Sequence, residues 1–164
     1  RQLADKDLQQ FIAGLLQQYA LPAQSLELEI TESCLQNEMI YIRCLEQLES
    51  LGIPISIDDF GTGYSCLSSL KNLPIRRLKI DQSFVKGIPY DTNDCAIAAA
   101  ILALAQKLNL QVTAEGIETH QQADFLGNLG CNELQGYLLS KPVDPEQIPY
   151  LIQKLPDRLD SLKF

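Results

Sequence analysis

Short apolar runs in this chain stop at polar residues that can do chemistry. Glu29 and Glu32 close the run Leu26–Ile30, Asp58 and Asp59 close Ile53–Ile57, and Lys79 and Asp81 close Arg77–Ile80. Glu115 and Glu118 follow Val112–Ala114, and Gln135 lies in Leu134–Leu138. A carboxylate in an otherwise apolar strand is costly to bury unless it is paired or binds a metal. Carboxylate and amide oxygens suit Mg²⁺ or Mn²⁺ rather than zinc, which favours His and Cys. A carboxylate between two such ions can bridge them at about 3.5–4 Å, the arrangement that activates water for in-line attack on phosphorus. Lys79 beside these acids can orient the water, take its proton or offset charge in the transition state. The residues alone do not rank those three roles.

Each residue also has a plainer reading. Asp58 and Asp59 precede a Phe-Gly pair and can cap a turn, and Glu32 can cap the helix that follows it. Lys79 can simply neutralise a neighbouring acid, Glu118 can be an ordinary surface side chain, and Gln135 can bond to backbone. The recurrence of acid, amide or lysine at every strand end favours chemistry for Asp58, Asp59, Lys79 and Glu115 together. His120, the only histidine, stands after Thr119 at a helix start and reads as a surface residue. Tyr64 and Phe60 can pack their loop or stack on a base.

The elements that must position these residues alternate between two apolar periods. Between the strand-like runs lie stretches with apolar residues three and four apart, among them Ile40, Leu45, Leu48 and Leu51, and Ile97, Ile101, Leu104 and Leu108. A leading helix over Asp5–Ala20 shows the same spacing in Leu8, Ile12, Leu15 and Leu16. Gly52 with Pro54, and Gly130, mark helix-to-strand turns. The alternation predicts an α/β chain of about five βα units behind that helix, with a mostly parallel sheet. Five units are compatible with an open doubly wound sheet or with an incomplete barrel. In a parallel barrel, the strand ends named above open on one face, where active sites lie. No linker or low-complexity segment divides the sequence, which reads as one domain over residues 1–164 with a final helix around Pro145–Lys154.

Composition narrows the function classes. The chain has 164 residues and a formal net charge of -8, so counterion release from a nucleic-acid backbone is excluded as its binding mode and no DNA partner is expected. An acidic protein still handles a small phosphate ester when its carboxylates hold divalent cations, because the ions reverse the local sign. No apolar run is long enough to span a membrane; the most apolar, Cys95–Ala105, reads as a buried helix. The five cysteines, Cys34, Cys44, Cys66, Cys95 and Cys131, are odd in number and lack C-x-x-C spacing. They read as free thiols in a reducing cytoplasm.

Five strings in series carry a specific resemblance: LELEITES (Leu26–Ser33), IDDFGTGYS (Ile57–Ser65), LKIDQSFV (Leu78–Val85), AEGIET (Ala114–Thr119) and LQGYLLSKP (Leu134–Pro142). In kind, order and separation they resemble the EAL domain family of cyclic-di-GMP phosphodiesterases from about Arg1 to Pro142. The resemblance implies a TIM-barrel-like fold and hydrolysis of cyclic di-GMP to the linear dinucleotide with two divalent cations, Mg²⁺ or Mn²⁺. It further implies Glu29, Asp58, Asp59 and Glu115 as metal ligands or metal-side acids, with Asp58 bridging. Lys79, Glu115 and Asp58 are the implied catalytic set. Glu32 resembles the anchor of the loop carrying Gly61, Thr62 and Gly63, while Asp81, Glu118 and Gln135 stand around the substrate mouth.

Departures from the family pattern bound the expectation. The Glu-Ala-Leu motif on an early strand, and an Asn ligand expected just before Arg1-Gln2-Leu3, are not in the sequence. Gln82 and Lys141 stand where the family commonly has Arg, outside the metal shell. The expected chain is therefore the C-terminal two-thirds of an EAL domain, incomplete at its N-terminus and weak or inactive by itself. A homodimer, upstream sensory or cyclase-like domains and a cytoplasmic location are the expected setting. A non-catalytic cyclic-di-GMP sensor and a dimerisation or interaction domain are the alternatives.

Overall fold

The computed structural model describes residues 3, 5, 7–32, 38–63 and 70–159. Cys34, Cys66 and Tyr64, named above, lie outside the described residues. Among those described, α1 (Leu8–Gln18), β1 (Leu28–Thr31), α2 (Glu38–Ser50), β2 (Ile55–Phe60) and β3 (Arg77–Ile80) come first. They are followed by α3 (Thr92–Lys107), β4 (Gln111–Ala114), α4 (His120–Asn128), β5 (Glu133–Leu134) and α5 (Ile148–Leu159). The chain is α/β, and its strands lie in chain order, β1-β2-β3-β4-β5, in one sheet. The pairs β1–β2 and β4–β5 are parallel. A doubly wound sheet reverses its strand order at a switch point; this one does not, which favours the barrel-type succession of βα units.

The chain divides into two compact units, Arg1–Leu78 and Lys79–Phe164. In the first, Ile55, Ser56 and Ile57 of β2 are all buried, as expected for a parallel strand covered on both faces. Leu45 and Leu48 of α2 and Ile53 join them in the core. On α1 only Ile12 is buried, and Leu15, expected inside, is 37% exposed; Phe11 and the C-cap Tyr19 are exposed as well. The carboxylate of Glu27 pairs with the guanidinium of Arg77 at 3.0 Å.

In the second unit, α3 starts at Asp91, whose Oδ1 accepts from the backbone N–H groups of Asn93 and Asp94 at 2.8 and 3.1 Å. Asp94 in its first turn and Lys107 in its last complement the helix dipole. The buried stripe is Ala98, Ile101, Leu102 and Ala105; of the expected Ile97, Ile101, Leu104 and Leu108, only Ile101 lies in it. Ala98 and Ala105 are fully buried beside Ile101 and Leu102, while Ile97 is exposed and Leu104 and Leu108 are half-buried. Val112, Thr113 and Ala114 of β4 are buried.

Other boundaries also differ from expectation. β5 has only two residues, Glu133–Leu134; beyond it Gly136 approaches the Ile117 backbone so closely that a Cβ there would collide with it. Gln135 follows the strand instead of lying in it. The C-terminal helix opens with a 3-10 turn at Pro145–Gln147 and continues to Leu159, past the expected Lys154.

Candidate active site

In the first unit, β1 and β2 pair with Glu29 opposite Ser56 and Thr31 opposite Asp58. Paired residues of parallel strands share a face, and residues two apart alternate back to it, so Glu29 and Asp58 lie on the same face. Glu29 is exposed and Asp58 half-buried. Strict alternation would send Asp59 to the opposite side. Instead Asp59 adopts φ 54°, a left-handed conformation that Asp tolerates better than most residues. The carboxylate oxygens of Asp58 and Asp59 then lie within 4.8 Å of one another. When both are ionised, their repulsion at an effective dielectric of about 20 is on the order of 3 kcal/mol.

The turn after β2 is held by Glu32, a carboxylate only 6% exposed. Its Oε2 accepts from the backbone N–H groups of Gly61 at 2.9 Å and Gly63 at 3.4 Å. Gly61 has φ 98°, a conformation that excludes a side chain without strain. Thr62 Oγ1 donates to the Asp59 carbonyl at 2.8 Å, bracing the left-handed residue from the loop side. Phe60 is 3% exposed, which resolves its two readings in favour of packing.

In the second unit, Lys79 on β3 is 6% exposed and its Nζ lies 2.7 Å from Oε1 of Glu115. A buried ammonium needs such a partner. Glu115 is placed by the end of β4, where its N–H donates to the Ile80 carbonyl at 3.1 Å. Asp81 caps the 3-10 turn Gln82–Phe84 through Ser83 N–H at 2.9 Å. Beyond Glu115 an open pocket of about 270 Å³ is walled by Gln82, Glu115, Glu118, Gln135 and Tyr137. The Lys141 ammonium stands 5.5 Å from the Tyr137 ring centroid. Glu118 and Gln135 are exposed to this space, and the Ile117 N–H donates to the Gln135 carbonyl at 3.1 Å. His120 is exposed at the start of α4.

The structure thus brings Asp58 to Asp59, Glu32 to Gly61 and Gly63, Lys79 to Glu115, and Glu118 with Gln135 to one pocket. Gln122, which sequence reading passed over, is 5% exposed and bonds three backbone groups around that pocket. Its sequence signal was available: Thr119 followed three residues later by Gln122 is the capping-box pattern. Both halves of that box are present at the start of α4.

Residues 1–142 match the EAL domain family. The chain is 46% identical over 148 residues to the bifunctional diguanylate cyclase/cyclic di-GMP phosphodiesterase MucR of Pseudomonas aeruginosa, covering 90% of this chain and 22% of MucR. It is 51% identical over 129 residues to the cyclic di-GMP phosphodiesterase NbdA of the same organism, covering 78% of this chain and 16% of NbdA. The chain therefore spans about a fifth of these relatives' length. The MucR phosphodiesterase in complex with c-di-GMP superposes with a TM-score of 0.85 at 46% identity, covering 90% of this chain and 60% of that one. The manganese and c-di-GMP complex of Klebsiella pneumoniae BlrP1 gives a TM-score of 0.77 at 30% identity, covering 84% and 36%.

Proposed function

Because this chain belongs to the EAL domain family, we propose that its residues serve metal-dependent hydrolysis of cyclic di-GMP to the linear dinucleotide. The observation that carries the reading is the family match joined to the site chemistry: Asp58 and Asp59 come together at the end of β2, and Lys79 on β3 pairs with Glu115 after β4. The donor set fits the cations. Asp58 and Asp59 offer hard carboxylate oxygens within 4.8 Å of one another, a pairing that a divalent ion turns from repulsive to attractive. Glu29, Asp58, Asp59 and Glu115 would hold the two ions, Mg²⁺ or Mn²⁺. Bound there, such ions supply an activated water and neutralise charge on phosphorus oxygens.

The remaining work belongs to the chain. In hydrolysis a water oxygen bonds to phosphorus while one P–O bond to ribose breaks, and the water's proton ends on the departing hydroxyl. Lys79, fixed 2.7 Å from Glu115, is an ammonium that does not need to leave its place to donate to the oxygen gaining charge. Glu32 keeps the Gly61–Gly63 turn formed beside the acids. Glu118, Gln135 and Gln82 wall the space for the dinucleotide next to Glu115.

The 164 residues act in this reading as one domain of a longer, multidomain cytoplasmic protein, paired as a homodimer. Among the described residues, no helix is long and apolar enough to cross a membrane. The test is hydrolysis of cyclic di-GMP by this chain, and by a longer protein carrying it, with Mg²⁺ or Mn²⁺ and with the metal removed. Metal-dependent cleavage by the longer protein and weak or no cleavage by this chain is expected. Binding of the dinucleotide without cleavage by either, with both metals, replaces the enzyme reading with the sensor.

A further inference from the structure

Gln122 is a buried amide that the chemistry above leaves unused. An ordinary capping box asks the side chain at this position for a bond to the N-cap N–H. Gln122 does this, its Oε1 accepting from Thr119 N–H at 3.0 Å, and the same oxygen also accepts from Glu118 N–H at 2.8 Å. Its Nε2 then leaves the helix altogether and donates to the Val85 carbonyl at 3.1 Å. Val85 is fully buried, so water does not readily replace that bond when it is lost.

What the amide joins gives it a functional reading. Among the described residues the segment from Glu115 to Thr119 is tied at Glu115, at Ile117, whose carbonyl also accepts from Leu138 N–H at 2.9 Å, and at Glu118 with Thr119. Glu115 N–H bonds to Ile80 and Ile117 N–H to Gln135, both through backbone at 3.1 Å. Only the third tie, at Glu118 and Thr119, depends on a side chain. At its other end the amide holds Val85, whose N–H bonds to the Gln82 carbonyl at 3.1 Å. Gln82 and Glu118 are walls of the same pocket. Losing the amide removes this side-chain tie between the two walls, which also meet where Gln82 packs against Gly116, and leaves the Lys79–Glu115 pair in its backbone-held place.

We propose that Gln122 is a positioning residue: it fixes Glu118 relative to Gln82 and so governs affinity for the cyclic dinucleotide, not the rate of the phosphoryl step. The proposal rests on the reading of the pocket as the dinucleotide site. Gln122→Met keeps the length and loses all three bonds. Gln122→Glu keeps both accepted bonds and sets an oxygen against the Val85 carbonyl.

The experiment measures cyclic-di-GMP affinity in calcium and backbone amide exchange on the intact chain, with kcat wherever a longer protein turns over. A one-ångström misplacement near a site can cost up to about a hundredfold, so an affinity loss of about tenfold in the Met variant and about threefold in the Glu variant is expected, with kcat within about twofold. Exchange at Glu118 and Thr119 accelerates in the Met variant and stays slow in the Glu variant. If the Met variant does not fold, the Glu variant alone carries the test, since it must lose affinity while exchange stays slow. Unchanged exchange in a folded Met variant overturns the clamp, and unchanged affinity in the variants overturns the positioning role. A wild-type chain that binds no cyclic di-GMP overturns the reading of the pocket and the role with it, while exchange still decides the clamp.

Discussion

In the unit built on β1 and β2, the strand ends bring acid to acid; in the unit that begins at Lys79, they bring acid to lysine. The Asp58 and Asp59 carboxylate oxygens stand within 4.8 Å of one another, whereas Glu115 stands 2.7 Å from an ammonium. The first arrangement holds its like charges together through backbone: a left-handed Asp59 and a turn bonded to Glu32. The second is balanced within itself, and its loop is held by a neutral amide. A site that gathers like charges is built to receive cations, and its geometry has to come from elsewhere. A site that carries its own counterion is balanced before any ligand arrives, and losing either partner leaves the other charge buried alone.

The contrast breaks most sharply under charge removal. Asp58→Asn should lower metal-dependent turnover by on the order of a thousandfold in the longer protein, and should leave the metal-free melting temperature unchanged or raised. Glu115→Gln strands a buried ammonium and should lower metal-free stability by about 3 kcal/mol, read by urea titration. Equal destabilisation by the two substitutions would erase the comparison.

Manganese sharpens it next. At about one hundred times its dissociation constant, a metal binding only the native state adds about 2.7 kcal/mol. A thermal scan should show this gain for the wild-type chain and its loss in Asp58→Asn. Glu32→Gln comes third: weakening a charge-assisted acceptor should cost about 1–2 kcal/mol and speed amide exchange at Gly61 and Gly63. A rigid Gly61 amide in that variant would show that the turn does not depend on Glu32.

The smallest effect concerns thiols. Burial pushes Cys131 above its ordinary value of 9.0, and its Sγ donates to the Glu133 carbonyl at 3.3 Å. Only the thiolate reacts, so a raised pKa means less of it at a given pH. Alkylation at pH 8 should be slower than in the unfolded chain, and should speed up as pH rises toward the shifted value. Cys44 in the other unit is raised by the same cause and should behave alike; rapid labelling of both at pH 8 counts against the burial described.

Much of this was legible in the residues. The run Arg77–Ile80 is β3 as expected, since a charged Lys79 between Leu78 and Ile80 still reads as a strand with one purposeful exception. Glu115 follows β4 directly, as the apolar run before it implied, whereas β2 does not stop at Ile57 but runs on through Asp58 and Asp59 to Phe60. On α3 the apolar pattern points to Ile101 but not to Ala98 and Ala105, because alanines carry little weight in such a pattern yet pack against neighbouring elements. The apolar run Leu134–Leu138 extends past β5 because backbone bonding to Ala114 and Ile117 goes on through Gln135 and Leu138 in an irregular form. Gln122 was passed over although Thr119-x-x-Gln122 is a local signal, since nothing local says that its amide reaches Val85.

By itself the sequence determined which chemical groups exist and in what order the strands deliver them, because apolar periodicity and capping act between near neighbours. Tertiary structure decided the left-handed turn at Asp59, the neutralisation of Lys79 by Glu115 and the bond from Gln122 to Val85. Each of those depends on where backbone groups distant in sequence come to rest, and a buried polar atom must find its partner there or not be buried at all.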